Sequence, residues 1–505
     1  MLFYCVLSLL ASVCWASSTL DASNGGVCAF VSTQGGKNAS VTLTGSKDAV
    51  PALIFHYPDI LNFTSIPSIE HWFVEYEHKD VLYEGVVDFD NNQFVVKPYA
   101  DRPVDSAYNG YVGPDHDVEY PVTSSGIYCV YVAVPSGTSP QISVTFHQGH
   151  GKLPYLSYVF YTQQKWVVLV GTVIFAYLFH YILRFKVDSN VGNLDSISLI
   201  SKGVIFFVLF PYILLAFTQL VIGFFKNRFD SSIILYLAET TNVLLYSGFN
   251  VVLQFFVLLL AMGYGVIYYH EGGSRNYRLF PTVYLKKASV LLLINLSLLA
   301  IIVVFGKFIF SATSPMASND DPLSMLYLGL GGQNFKLTGL QKVLLSLSYI
   351  LSLFNTVWFV VTVYYYFKTR KTINSFPPSE NEDANSRIIK SYRRSVLVIF
   401  VLPLLIGLLG VSIGIYRTMN NVSDERLDFS ESRIDVNLSV LSMLVLENTL
   451  TGQLHILFIT QHLSFFLMVI LLFAIWIKDN NGLIVEKGTV LDGQFDVESE
   501  DEMTI

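Results

Sequence analysis

Seven apolar stretches follow one another down the later two thirds of this chain, and a different rhythm precedes them. They run over roughly 166–183, 203–225, 243–268, 288–310, 343–366, 395–416 and 455–477. Each approaches or exceeds the ~20 residues that a helix needs to cross hydrocarbon. The pattern therefore predicts a seven-transmembrane α-helical bundle over 161–478. A further apolar stretch, Ser232–Thr241, leads into the third span and predicts an entry turn or a longer, tilted helix. Ahead of the bundle the period drops to two, most clearly in Ser124–Gly137. Ile127, Cys129, Tyr131 and Ala133 point one way there, and Tyr128, Val130, Val132 and Val134 point the other. Both faces are largely apolar, which predicts a central strand covered on both sides. Turn residues such as Asn91-Asn92 and Pro135-Ser136-Gly137 separate such runs, so 17–160 is expected to be an all-β sandwich.

Composition agrees with this division. The chain is 52% hydrophobic and 14% charged, whereas soluble domains carry about 25% charged residues. Residues 1–16 form a short apolar run ending in small residues, as a cleaved signal peptide does, an uncleaved anchor being the alternative. Of the four cysteines, Cys5 and Cys14 lie in that segment. Cys28 and Cys129 remain, in a compartment that permits a disulfide, with two free buried thiols as the alternative. Acidic residues outnumber basic ones more than two to one over 17–160, which excludes nucleic acid as a natural partner.

Lys and Arg concentrate after spans 3 and 5, for example Lys286, Lys287, Lys368, Arg370, Arg393 and Arg394. This bias predicts an N-terminus outside and a C-terminus in the cytoplasm, ending in an acidic tail over 479–505. The glycosylation sequons at Asn38, Asn62, Asn421 and Asn437 then fall on the outer side, while Asn295 lies within span 4 and should stay unmodified.

Met262–Gly273 reads MGYGVIYYHEGG. A potassium filter needs a re-entrant loop with Thr-Val ahead of Gly-Tyr-Gly; here a continuous helix leads in, so the glycines are expected to end span 3 and permit close packing. Gly263, Tyr264, Gly265 and Val266 nonetheless resemble the most specific motif of the Golgi-dynamics-domain seven-transmembrane (GOST) family. Gly126-Ile127-Tyr128-Cys129 is similar to the late strand of that family's β-sandwich, and Leu153-Pro154-Tyr155-Leu156 to the lead-in to its first helix. Trp476 with Asn480-Asn481 is similar to the exit from its seventh. Gln254 and Tyr269 depart from the arginine and proline that many members carry, which marks a divergent member. A more distant similarity runs to the Wnt carrier Wntless. The resemblance implies a luminal GOLD-like domain and a role in Golgi and endosomal trafficking. The partners it implies are membrane lipids, a protein or lipidated cargo, and cytosolic sorting adaptors.

Within the bundle, Glu239, Asn242, Tyr246, Asn250 and Gln254 recur at spacings of three and four and form one stripe on span 3. Ser348, Ser352 and Asn355 do the same on span 5, and His455 and His462 share a face of span 7. Polar groups facing lipid are costly, so these stripes should face inward. There they serve either as hydrogen bonds between helices or as the wall of a cavity or ion path between spans 3, 5 and 7. Pro211 and Pro403 are expected to kink their helices, and Gly407, Gly410 and Gly414 to let helices approach closely. The chain carries no Cys-x-x-Cys, His-Glu-x-x-His, Gly-x-Ser-x-Gly or P-loop, so no enzyme activity and no cofactor are expected. Asp115-His116-Asp117 could touch a metal but reads better as a solvated loop. Tyr277–Phe280 and the acidic segment around Phe495 fit sorting signals. A cargo carrier or sorting receptor is the leading expectation. A cation channel using Glu239 comes next and a receptor-like signalling protein last.

Overall fold

The computed structural model describes residues 17–20, 25–45, 48–69, 71–72, 78–99, 107–135, 141–188, 198–229, 233–269, 278–313, 339–375, 382–422 and 434–477. The segments 1–16 and 479–505, Tyr277 and the side chain of Asn421 lie outside the described residues, and with them the signal peptide, tail and sorting-signal readings.

Among the described residues the N-terminal region has ten strands: β1 Ser17–Leu20, β2 Gly26–Val31, β3 Ser40–Thr44, β4 Val50–His56, β5 Val87–Asp88, β6 Gln93–Phe94, β7 Tyr108–Val112, β8 Val118–Pro121, β9 Gly126–Val132 and β10 Ile142–His147. Two four-stranded sheets form, in the orders β1-β10-β3-β8 and β2-β9-β4-β7. Leu20, Val41, Leu43, Ile142 and Val144 from the first sheet meet Val50, Ile54, Val130 and Val132 from the second in one core. The region is therefore a β-sandwich. Cys28 sits directly opposite Cys129 in the β2–β9 register and the two are bonded.

β9 is buried along its whole length, as its two apolar faces require. One face fills the space between the sheets. The other, with Cys129 and Tyr131, packs in a second core, shared with Tyr57, Trp72, Met443, Leu444 and Phe458. Trp72 stacks on Tyr131 at 4.9 Å and 8°. The second face of β9 is thus covered partly by the helical half of the protein.

That half contains seven helices long and apolar enough to cross a membrane among the described residues: α1 Tyr155–Arg184, α2 Leu199–Arg228, α3 Ile233–Ala261, α4 Thr282–Gly306, α5 Lys342–Asn374, α6 Arg387–Asn420 and α7 Val436–Trp476. Their outward faces are apolar and open, as with Leu404, Leu405, Leu408 and Leu409 on α6. Soluble monomers rarely expose apolar patches of this extent, so this is an integral multi-pass membrane protein. The stretch before span 3 proves to be helix, so α3 begins at Ile233.

Both span prolines follow a widened turn. Phe210 N–H bonds Ile205 O at the end of a π-helical stretch, just before Pro211. Leu402 N–H bonds Leu397 O in the same way, just before Pro403. Proline lacks an N–H, and its ring crowds the carbonyl four residues back. An i→i−5 turn ahead of it relieves that clash. Gly410 lets Thr460 approach, for a Cβ there would lie 2.7 Å from Thr460 Cγ2. Gly407 faces open space, so the close-packing expectation fails at that position.

Helix α7 has 41 residues, about 60 Å at 1.5 Å per residue, twice the ~30 Å of hydrocarbon. Its first part belongs to the helical segment Ile434–Asn448, which lies against the 3₁₀ turn Tyr57–Asn62 of the sandwich. Tyr57 Oη hydrogen-bonds Ser439 Oγ, and Val440, Met443 and Leu444 enter the shared core. A π-turn at Thr449–Gln453 then joins this docked segment to the membrane-length helix Leu454–Trp476. Asn437 sits on the docked segment at 1% exposure, which leaves no room for a glycan in the folded protein. That sequon is therefore withdrawn. Asn38 is exposed and Asn62 half-buried, and Asn295 is fully enclosed in α4.

Candidate functional site

The span 3 stripe divides between two neighbourhoods. Near the β-sandwich, Glu239, Asn242 and Tyr246 line a cavity of about 150 Å³. Further along, Gln254 Nε2 donates to Asn355 Oδ1 at 3.1 Å and ties α3 to α5. This cavity lies between α1, α2, α3 and α7, and α5 takes no part in its wall. α5 instead packs against α3 and α4, where Leu347 and Leu351 meet Val251 and Leu299. Asn250, Ser348, Ser352 and His455 are partly buried and stand outside the wall, whereas His462 belongs to it.

Helix periodicity supplies the rest of the wall. Ser157, Phe160, Tyr161 and Gln164 on α1 follow the spacing 0, 3, 4, 7, as do Gln219, Ile222, Gly223 and Lys226 on α2. Each set occupies one helix face. Sequence reasoning centred on span 3 missed both, although the same spacing rule finds them. Lys226 Nζ lies 3.1 Å from Glu239 Oε1, and both side chains are 15% exposed. The short connection between α2 and α3 brings these two helix ends together. A charge alone at this depth would be costly, and each offsets the other. Thr218 Oγ1 donates to Asn242 Oδ1 at 2.7 Å, and Tyr212 Oη lies 2.5 Å from His462 Nδ1. Hydrogen bonds between helices and a cavity wall therefore occur on the same stripe.

Two aromatic residues connect the cavity to the sandwich. Phe160 and Phe458 lie 4.4 Å apart, both line the cavity, and both touch the core that contains Cys129 and Tyr131.

The link between β10 and α1 is clasped at the same level. Asn227, at the end of α2, donates to His150 O at 2.9 Å and accepts the Leu153 N–H at 3.2 Å. Gly151 has φ +131, and a Cβ there would collide with the Asn227 amide. His150 is 8% exposed, stacks on Tyr158 at 3.7 Å, and places Nε2 2.9 Å from Leu153 O. Burial pulls its pKa from an ordinary 6.5 down to about 4. The unfolded chain therefore binds a proton between those values that the folded one refuses, and stability falls as pH drops through that window. The expected loss is roughly 1 kcal/mol by pH 5.5 and approaches 3 kcal/mol near pH 4. Melting temperature against pH, compared with His150→Phe, checks this: the variant should lose that part of the slope.

At the far end of α3 the glycine motif terminates the helix. Gly263 N–H bonds Leu260 O at 3.0 Å and Tyr264 N–H bonds Leu259 O at 2.9 Å, a Schellman cap with Gly263 at φ +90. Gly265, at φ +75, continues the turn and packs under Ile200. Ala261 O, freed by the cap, accepts from Thr369 Oγ1 at 2.7 Å and Tyr392 Oη at 2.8 Å, which joins α3, α5 and α6. Val266 enters a small core with Trp476. Gly126, from the other quoted motif, leaves space for His56, whose Nε2 lies 3.9 Å from Glu447 on α7.

Asp115-His116-Asp117 is an exposed turn, and no group of three His, Cys, Asp or Glu side chains placed to hold a metal occurs among the described residues. The chain matches no known family profile and no curated protein.

Proposed function

We propose that this protein is a cargo carrier or sorting receptor of the Golgi and endosomal membranes. In this reading the β-sandwich is GOLD-like and luminal, the C-terminus is cytoplasmic, and Asn38 and Asn62 carry the glycans. The observation that supports it best is the shared packing of Phe160 and Phe458. These rings bind the floor of the sandwich to the wall of the intramembrane cavity. A cargo held by the sandwich and placing a small amphiphilic part in the cavity would act on two parts joined by one packed core.

The cation-channel reading has less behind it. Glu239, its central carboxylate, is engaged by Lys226, so a passing cation would have to displace a resident ammonium.

The test is a cell lacking the protein, its surface and secreted proteins compared with wild type. A defined subset should be mis-sorted. Wild-type protein should restore it, and Val243→Trp, which fills the cavity, should not. Normal sorting in the null cell would reject the proposal, as would currents carried by the purified protein in bilayers and abolished by Glu239→Gln.

A further inference from the structure

The bundle end farthest from the sandwich carries its charge at one corner. Lys368, Arg370 and Lys371 end α5, and Arg387, Lys390, Arg393 and Arg394 begin α6; all seven are exposed. Lys286 and Lys287, at the start of α4, lie beside them. The three helix ends are fixed to one another by rings. Tyr284 meets Tyr365 at 5.1 Å, Tyr366 meets Tyr392 at 5.3 Å, and Lys368 Nζ stands 5.1 Å over the Tyr284 ring. No Asp or Glu occurs in 280–290, 362–375 or 387–398, although the helix that leads into α6 begins with Glu382 and Asp383. By contrast, the α1–α2 side of the same end shows Arg184 and Lys202 among the described side chains.

Membrane orientation requires positive charge on one side of the bilayer but not its collection at one corner. Nine cations on three helix ends held by tyrosine packing suit a ligand with several closely spaced anionic groups. Arginine pairs and lysines both bind phosphate well. We propose that this corner binds a polyphosphorylated lipid headgroup from the surrounding membrane leaflet. The tyrosine packing holds the three helix ends together, and the α5 and α6 cations close around the phosphates.

The experiment uses the full-length protein in nanodiscs of phosphatidylcholine doped with phosphatidylserine or with phosphatidylinositol bisphosphate, at matched total charge. Retained lipid is read by native mass spectrometry. The bisphosphate lipid should be retained at least tenfold more than phosphatidylserine. Arg370→Gln with Lys371→Gln, Arg393→Gln and Arg394→Gln should remove most of that preference, since each juxtamembrane charge is worth roughly fivefold. Arg393→Lys with Arg394→Lys should keep it, and so should Lys202→Gln on the opposite side. Equal retention of the two lipids would overturn the proposal, as would retention unchanged in the quadruple variant. Soluble inositol trisphosphate that competes at the lipid's own affinity would assign the corner to free phosphates instead. Retention that emerges only after the acids of 479–505 are neutralised would assign it to the chain's own tail.

Discussion

Replacing Lys226 with methionine is expected to destabilise the bundle by about 3–5 kcal/mol, because it leaves a carboxylate enclosed without its cation. Lys226 and Glu239 are 3.1 Å apart, and each side chain is 15% exposed, so solvent screening offers little relief. Glu239→Gln alone should cost less, since an amide can still accept from the lysine. The double variant Lys226→Met with Glu239→Gln should recover most of the loss. Thermal unfolding of the reconstituted protein across this cycle separates the pair's coupling from the two single losses. Near-additive effects would show that the pair contributes little. The cycle also bears on function, since a carboxylate held this way is part of the helix packing before it is part of any ion path.

The second large effect concerns Cys28 and Cys129. Replacing both with alanine is expected to cost about 2–5 kcal/mol, the chain-entropy value for a loop near 100 residues being ~4.7 kcal/mol. The bond joins adjacent strands, β2 and β9, and both residues are buried in the core to which α7 contributes Met443, Leu444 and Phe458. Loosening β9 should therefore also loosen the docked start of α7. Limited proteolysis of 434–448 should speed up in the double variant, together with a lower melting temperature of the sandwich. A lower melting temperature with unchanged cleavage of 434–448 would mean that the docking of α7 does not depend on the bridge.

The fold was largely legible because both halves are written in short periods. Alternation over Ser124–Gly137 announces a doubly covered strand, and β9 is one. Runs of about 20 apolar residues announce the spans, and seven helices follow. Backbone chemistry was legible too: glycine at the end of α3 predicts a cap, and Gly263 makes it. The site was legible in part. The stripe from Glu239 to Tyr246 faces a cavity, but its partners were expected on spans 5 and 7. They come mainly from α1 and α2, because helical period reveals which residues share a face and says nothing about which helix that face meets.

Amino-acid order alone therefore determined the β-then-bundle division, the seven spans, the α3 terminus and the inward-facing stripe, since each depends on residues near one another in the chain. Only the tertiary structure decided three other things. Lys226 answers Glu239, the first turns of α7 help cover β9, and Asn437 is enclosed rather than open to a glycan. These follow from helix neighbours and domain docking, contacts between distant residues whose energies come from packing and charge pairing and leave no periodic trace along the chain.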